Sequence, residues 1–478
     1  MTLRKQVLSG LKWTAGAKLG GQVITWGITL WVMRLLSPGD YGLLAMAMVF
    51  VAFLLMMAEA GLGSALVQKE DLDEAQLRQA FGIIIVVNLG LLAVLNLLAP
   101  AIATFFEDDR LLPVLRVLSL YFLIIAMGVI PDVLLQRKLE FKKRSLIDLT
   151  AAVFSSVLTL ALALAHYGVW ALVLGSLFGA AWRVGAANLV APFRLLPNFS
   201  LQGMRGLLSF GGKVTMSRLL WFFFTQADVI IVGKLLGKEM LGFYSVAMHL
   251  ASLPVQRVSA IVNQVAFPVF SRLQEDRENL SGYVIKAIRI LSFLAFPVLW
   301  GISSTAHEIV LLFLGQKWKD AILPLQLLSM MMPLRMVANF LPTASDALGR
   351  PDLGLKNVLV ASLIMPAAFL IASQWGIVGV AVAWVTVYPV VLLFNVRRML
   401  HVMGSGLREL LHAIAPAIIS AAGMYAAVWT ARWLLGDDIS QLTKLLVMVA
   451  TGMLMYGGLA LLLNRQGCRE VYGLIGRK

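Results

Sequence analysis

Residues 80–104 read AFGIIIVVNLGLLAVLNLLAPAIAT, a run without a charged side chain, in which only Asn88, Asn96 and Thr104 carry polar side chains. A helix rising ~1.5 Å per residue crosses the hydrocarbon layer of a bilayer in ~20 such residues. The run is therefore long enough to span. In hydrocarbon every backbone N–H and C=O must find its partner within the chain, which restricts lipid-facing spans to helices or closed barrels. Continuous apolar runs of this length, rather than short alternating ones, select the helix. Working outward from it, comparable runs recur at 10–35, 41–64, 112–135, 146–166, 168–191, 206–233, 240–266, 286–314, 321–347, 355–374, 376–396, 411–434 and 441–463. The expectation is an all-α integral membrane protein of about fourteen transmembrane helices, joined by short loops with no inserted soluble domain.

Composition agrees. Of 478 residues, 60% are hydrophobic and 14% charged, with mean hydropathy +0.85, against about 25% charged in soluble domains. This excludes a soluble enzyme. The net charge of +15 would suggest nucleic acid in a soluble chain, but here the basic residues sit in short loops between apolar runs, so no nucleic-acid partner is expected. Cys468 is alone and the five histidines are scattered, which argues against a disulfide or a structural zinc site. No metal and no cofactor is expected. At the N-terminus Met1–Lys12 is short and basic, and Ala15-Gly16-Ala17 resembles a cleavage box. Lys18 interrupts any apolar core before that box, so the run after it reads as a retained first helix.

The loops set the orientation. Arg34, Arg110, Lys234, Lys238, Lys317, Lys319 and Arg432 are seven basic residues on one side, against about 25 on the other, QRKLEFKKR (136–144) among them. Basic residues accumulate on the cytoplasmic side. Both termini are therefore expected inside, with an even number of helices. An internal repeat also emerges. RLLSPGDYG (34–42) matches KLLGKEMLG (234–242), LPVLRVLSL (112–120) matches LPLQLLSM (323–330), and YGVWALVLGSL (167–177) matches WGIVGVAVAWV (375–385). The basic segment after the fourth span corresponds to GRPDLGLK (349–356). This predicts two six-helix lobes related by a pseudo-two-fold along the membrane normal, with a substrate site between them: an N-lobe at 1–200 (helices 1–6), a C-lobe at 201–400 (helices 7–12), and two additional helices with a cytoplasmic tail at 401–478. With both half-sites in one chain, a monomer is expected.

Several stretches carry a resemblance: LSGLKW (8–13), RLLSPGDYG (34–42), LLQRKLEFKK (134–143), SFGGKVT (209–215), GKLLGKEMLGFY (233–244), FPVFSRLQED (267–276), LGQKWKDAILPLQLLSM (314–330) and LRMVAN (334–339). Together they resemble the Wzx-type polysaccharide flippases of the MOP (multidrug, oligosaccharidyl-lipid, polysaccharide) exporter superfamily, most of all those of the colanic-acid exporter type. The likeness runs from residue 8 to about 340. It implies export of a lipid-linked oligosaccharide across the bacterial inner membrane by alternating access, with an undecaprenyl-pyrophosphate carrier and with polysaccharide polymerase and co-polymerase machinery as partners.

Ionisable residues inside a membrane are costly and therefore functional candidates. Arg218 lies ~18 Å into its span and Arg335 ~21 Å into its own, by the ~1.5 Å rise. Arg218 reads either as a cavity cation for pyrophosphate or acidic sugars, or as a structural partner of Asp148 or Asp228. Arg335 stands four residues before Asn339, on the same helical face, and the resemblance implies Arg and Asn at these two positions of LRMVAN; gluing helices within its lobe is the alternative. Lys18, Gln22, Thr25 and Thr29 form a polar stripe suited to a water-filled cavity or a helix contact. Lys213 and Arg257 can widen a basic entrance, since Arg binds pyrophosphate in bidentate fashion, or serve as cytoplasmic anchors. Asp228 and His249 are the candidates for ion or proton coupling, with a structural pairing as the other reading; Glu308 and Glu59 are weaker ones. Trp170, Trp318, Trp375, Trp429 and Trp433 fall near span ends, as an interfacial belt requires.

No P-loop occurs, so the chain is not expected to hydrolyse ATP, and transport needs no covalent chemistry: the protein is expected not to be an enzyme. Two other functions remain open: a multidrug or metabolite cation-coupled antiporter of the same fold, and more distantly a membrane glycosyltransferase or polymerase. The basic set of buried residues favours an anionic substrate over the first, and the short outer loops disfavour the second.

Overall fold

The computed structural model describes residues 21–22, 24–58, 62–69, 73–193, 195–200, 222, 225–255, 277–339, 350–403, 406–436 and 439–475. All regular structure among them is helical. In chain order the helices are α1 (Ile24–Leu35), α2 (Pro38–Ala58), α3 (Leu62–Gln68), α4 (Glu74–Phe106), α5 (Leu111–Leu118), α6 (Leu120–Ala126), α7 (Val129–Arg137), α8 (Phe141–Leu164) and α9 (Val169–Val190). Then come α10 (225–255), α11 (Arg277–Ser304), α12 (Ala306–Ile309), α13 (Ile322–Ala338), α14 (Pro351–Ala372), α15 (Gly376–Met403), α16 (Leu407–Leu434), α17 (Gln441–Leu463) and α18 (Arg465–Ile475). A π turn (Val310–Leu314) and a 3-10 turn (Gln316–Ala321) link α12 to α13.

Among the described residues nine helical spans are long and apolar enough to cross a membrane. A tenth is added if Leu111–Ala126 and Val129–Arg137, bent by 41° at their junction, form one broken span. The span Asp352–Met403 holds both α14 and α15. Of the expected spans, 10–35, 41–64, 206–233, 240–266 and 321–347 run into residues outside the described ones. The side chains on the helix exteriors identify the solvent: Leu97 is 79% exposed, Leu189 85%, Leu454 77% and Trp433 81%. A soluble monomer does not present apolar surface on this scale, whereas lipid accepts it. The protein is a multi-span helical membrane protein.

Local chemistry explains where helices begin and end. Asp73 caps α4 by accepting from the Gln76 amide at 2.6 Å, satisfying one of the first-turn N–H groups that have no partner inside the helix. At the other end Glu107 turns left-handed (φ 58°), its amide and that of Asp108 bonding back to the last turn. Ser440 caps α17 through the Thr443 amide. Polar side chains inside the spans are spent on packing: fully buried Asn88 donates to the carbonyls of Ala58 and Ile84 at 2.7 and 2.8 Å, and Asn96 to Ser119 Oγ at 2.9 Å, the kind of interhelical hydrogen bond that joins helices where no hydrophobic force does.

The chain falls into two compact units, Met1–Gly242 and Phe243–Lys478. The first packs α3 and α4 against α7 through Leu62, Leu66, Ala80, Ile84, Ile130 and Val133. In the second, α11 is fastened to α13 by Trp300 Nε1 donating to the Met330 carbonyl (3.0 Å) and Ser303 Oγ to that of Gln326 (2.9 Å).

The two copies of the repeated segment 34–42/234–242 both lie in the first unit, and they touch. A side chain at Gly42 would collide with the backbone of Lys238, and one at Gly242 with the backbone of Pro38. Gly42 corresponds to Gly242 in the repeat, and Pro38 to Lys238, so the contact is reciprocal. Gly237 (φ 80°) turns the chain within 225–255 where the sequence predicts a turn between spans. In the first copy the turn before α2 is closed instead by Ser37 and Asp40: Ser37 Oγ donates to Asp40 Oδ2 at 2.6 Å and the Asp40 amide to Ser37 Oγ at 3.2 Å. Replacing Gly42 by Val is expected to destabilise by ~3 kcal/mol or more, because the obstructing atoms are backbone and cannot swing away. Thermal unfolding of the purified chain checks this, with Gly27→Val, where an added Cβ meets nothing within 4 Å among the described residues, as the control expected to leave the midpoint unchanged.

Candidate functional site

In the second unit Arg335 sits in the last turn of α13, half-buried. Its guanidinium lies 5.0 Å over the ring of Trp384, a cation–π arrangement, with NH1 3.8 Å from Met248 Sδ. Trp384 is fully buried and held in turn: Nε1 donates to Tyr244 Oη at 2.9 Å, and the rings of Phe369 and Tyr388 pack on it at 5.2 and 5.3 Å. Among the described residues no carboxylate comes within ion-pair distance of Arg335. Among these residues its charge is met by an aromatic face and a thioether instead of a carboxylate. The Asn339 amide donates to the Arg335 carbonyl at 2.9 Å, so the i, i+4 relation expected from LRMVAN holds in the structure.

The other sequence candidates divide. Lys18, Lys213, Arg218 and Arg257 lie outside the described residues, as does Glu59. Gln22 is half-buried; Thr25 turns its hydroxyl back onto the carbonyls of Gly21 (2.9 Å) and Gln22 (3.1 Å), a bond within its own helix. Asp228 is buried, its Oδ1 accepting from the Val229 amide at 2.9 Å. His249 is on an exposed face of α10. Glu308 is fully buried and pairs with Arg432 Nε at 3.2 Å. Trp375, Trp429 and Trp433 are exposed as belt residues should be. Trp318 is a correction: it is fully buried, with Phe243 edge-on at 5.9 Å, because the 3-10 turn carries it inward.

Two arrangements escaped the sequence reading. The first is at the α4–α5 turn. Lys234 Nζ reaches Glu107 Oε1 at 2.6 Å, Lys238 Nζ reaches Asp108 Oδ2, and Arg110 Nε reaches Asp108 Oδ1 at 3.2 Å. Partial burial works to raise the Asp108 pKa, but hydrogen bonds from Arg110 and Lys238 outweigh it and hold the carboxyl at about 2. The second lies among α7, α8 and α9. Asp132 receives Arg144 Nε at 3.0 Å and NH2 at 3.2 Å, and Gln136 Nε2 at 2.9 Å. Arg183 bridges Asp148 (2.9 Å) and Asp132 (3.8 Å). These groups line a cavity of about 520 Å³. Asp148, weighed in the sequence as a partner for Arg218, is engaged by Arg183. Neighbouring Arg137, from the QRK stretch, donates to the carbonyls of Leu66 (2.8 Å) and Lys69 and so closes the C-terminal end of α3. One signal pointed there: the basic LLQRKLEFKK stretch supplies Gln136, Arg137 and the residues leading to Arg144.

Residues 32–323 match the family model described as "Polysaccharide biosynthesis protein". The chain belongs to this family. It is 27% identical over 421 residues to the lipopolysaccharide biosynthesis protein WzxC of Escherichia coli (strain K12), covering 86% of this chain and 84% of that one. It is 28% identical to the teichuronic acid biosynthesis protein TuaB of Bacillus subtilis (strain 168), over 82% and 81% of the two chains. Among solved structures, the lipid II flippase MurJ in its inward closed conformation superposes with TM-score 0.77 at 16% identity, over 95% of this chain and 99% of that one. A multidrug resistance MATE transporter of the MOP superfamily, inward-facing, gives 0.61 at 17%, over 80% and 95%. At these identities the structural likeness speaks to the fold, and that fold is shared with MOP-superfamily transporters.

The ion pairs at the α4–α5 turn give a pH dependence. A depressed carboxyl pKa contributes stability that is complete above the unfolded value of ~3.9 and is lost as pH falls through about 2. Unfolding midpoints of wild type and Asp108→Asn, measured from pH 6 to pH 2, are expected to differ by a constant amount above pH ~4 and to converge toward pH 2.

Proposed function

We propose that this family member is a flippase that carries an undecaprenyl-pyrophosphate-linked oligosaccharide repeat unit across the bacterial inner membrane, for exopolysaccharide, capsule or O-antigen assembly. The observation that carries the reading is the family match over residues 32–323. Relatives named for lipopolysaccharide and teichuronic acid biosynthesis support it, and so does a fold shared with a lipid II flippase. Arg335 supplies chemistry in keeping with it: a half-buried guanidinium over an aromatic face suits a phosphate head group, while the polyprenyl chain stays in lipid.

Within this reading the chain has about fourteen spans: two six-helix lobes, 1–200 and 201–400, related by a pseudo-two-fold, and an added pair in 401–478. The reciprocal Gly42/Gly242 contact supports that symmetry. So do Gly168 (φ 55°) and Gly376 (φ 68°), which correspond in the repeat and take the same left-handed turn at the starts of α9 and α15. Both termini lie in the cytoplasm, the chain works as a monomer, and a polymerase with its co-polymerase takes over the exported unit. Lys18, Gln22, Thr25, Lys213, Arg218, Arg257, Arg335 and Asn339 line the passage, and Asp228 and His249 are the groups for ion coupling. The lobes rock between inward-open and outward-open states without covalent change in the substrate.

Deleting the gene in its host is expected to accumulate lipid-linked oligosaccharide on the cytoplasmic face, measured by mass spectrometry. Wild type restores export. Arg335→Ala, made at normal membrane level, leaves accumulation near that of the deletion, because a lost charge-assisted contact lowers affinity roughly 10- to 100-fold; Arg335→Lys is intermediate. No accumulation, with altered susceptibility to cationic drugs instead, would replace this reading by the antiporter.

A further inference from the structure

The cavity among α7, α8 and α9 lies wholly in the first unit, whereas Arg335 belongs to the second, and its charges follow a pattern. Arg144, Asp132, Arg183 and Asp148 alternate in sign and sum to zero, each pairing with the next at 3.0, 3.8 and 2.9 Å. Two amides join them: Gln136, bonded to Asp132 Oδ2, and Gln68 at the end of α3. None of the four ionised side chains is sealed off; they remain between 31% and 48% exposed. The chain of pairs therefore does not use up its hydrogen-bonding groups, since a guanidinium has five N–H donors and a carboxylate about four acceptor positions. Among the described residues the remaining wall is apolar, with Ile125, Val129, Val133 and Val184 facing the same space.

That surface discriminates by chemistry. A phosphate placed against Arg144 or Arg183 meets Asp132 or Asp148 as a like charge, and a metal or organic cation placed against the aspartates meets the arginines. A hydrophobic group would strip water from four ionised side chains without replacing it, which is costly. A neutral polyhydroxylated ring suits all parts of the wall: each hydroxyl both donates and accepts, as alternating Asp and Arg require, and its C–H faces can lie on the valines and isoleucine. The volume, about 520 Å³, is within the ~300–1,000 Å³ of small-ligand sites. Asp148 lies seven residues into α8, ~10 Å from its start, within reach from one end of the bundle.

We infer that this cavity is a recognition site for an uncharged sugar of the lipid-linked substrate, separate from the cationic group that meets its phosphates. The inference rests on the flippase reading and deepens it by dividing recognition in two: Arg335 for the phosphate, and the Asp132–Arg144–Arg183–Asp148 chain for glycan hydroxyls.

The test uses the full chain in nanodiscs and two probes, undecaprenyl pyrophosphate and the same lipid bearing one glucosyl residue, with binding measured by native mass spectrometry. Asp148→Asn/Arg183→Gln keeps the net charge, and Gln68→Leu removes an amide outside the ion-pair chain, so that one variant remains informative if the other fails to fold. Wild type is expected to bind the glucosylated lipid more tightly than the bare one. The variants are expected to lose about tenfold in affinity for the glucosylated lipid with unchanged affinity for the bare lipid. An equal loss on both probes, or a loss on neither, overturns the sugar site while leaving the flippase reading in place. If wild type binds neither lipid, the flippase reading itself falls and the sugar site with it.

Discussion

Gly42 and Gly242 let the backbone of one repeated segment rest directly on the backbone of the other. Neither position has room for a methyl group, and the rest of that end of the first unit is arranged around the closeness this permits. Because the helices meet at backbone distance, Lys234 and Lys238 on α10 come within reach of Glu107 and Asp108 at the α4–α5 turn. Because Asp108 also holds Arg110, the turn carries a compact set of charges whose pairing depends on the helix contact beneath it. In a membrane, where hydrophobic force between helices is absent, small residues allowing close packing are what hold such a junction. In the alternating-access cycle we propose, Gly42 belongs to the 1–200 lobe and Gly242 to the 201–400 lobe, so this junction is the outer closure and parts when the lobes open outward.

The two polar sites differ in how their charges are managed. Arg335 is positioned by an aromatic ring, itself fixed by Tyr244, and among the described residues has no carboxylate beside it. The Asp132–Arg144–Arg183–Asp148 chain cancels its own charge and keeps only its hydrogen-bonding pattern. A lipid-linked oligosaccharide has both kinds of group, a phosphate end and a hydroxyl-rich end. A single chain that carries it therefore gains from having one site of each kind, with the weak, distributed contacts of the second tolerating variation in the glycan.

Much of the fold was legible because the apolar runs are long and cleanly bounded. The span expected at 441–463 is α17 to the residue, and 376–396 begins where α15 begins, since caps and left-handed glycines mark those ends. The glycine pair was legible as a repeat but not as a contact: linear matching shows that two segments are alike, not that they touch. Arg335 and Asn339 could be read from helical periodicity. Arg183 could not, because its partners Asp132 and Asp148 stand 51 and 35 positions away and pair through the crossing of three helices. Trp318 was misread for a related reason: its place near a span end suggested the interface, and only the 3-10 turn, a departure from α-helical geometry, explains why it points into the protein.

The proposed parting of the Gly42/Gly242 junction can be tested most directly by pinning it. With Cys468, the single native cysteine, replaced by Ser, Asp108→Cys and Lys238→Cys place two thiols where an ion pair now stands. A short methanethiosulfonate bridge between them is predicted to stop export, so that lipid-linked oligosaccharide accumulates in the host, and reduction is predicted to restore it. Undiminished export with the bridge intact would contradict the account, because a junction that never opens cannot be the outer closure of an alternating-access flippase.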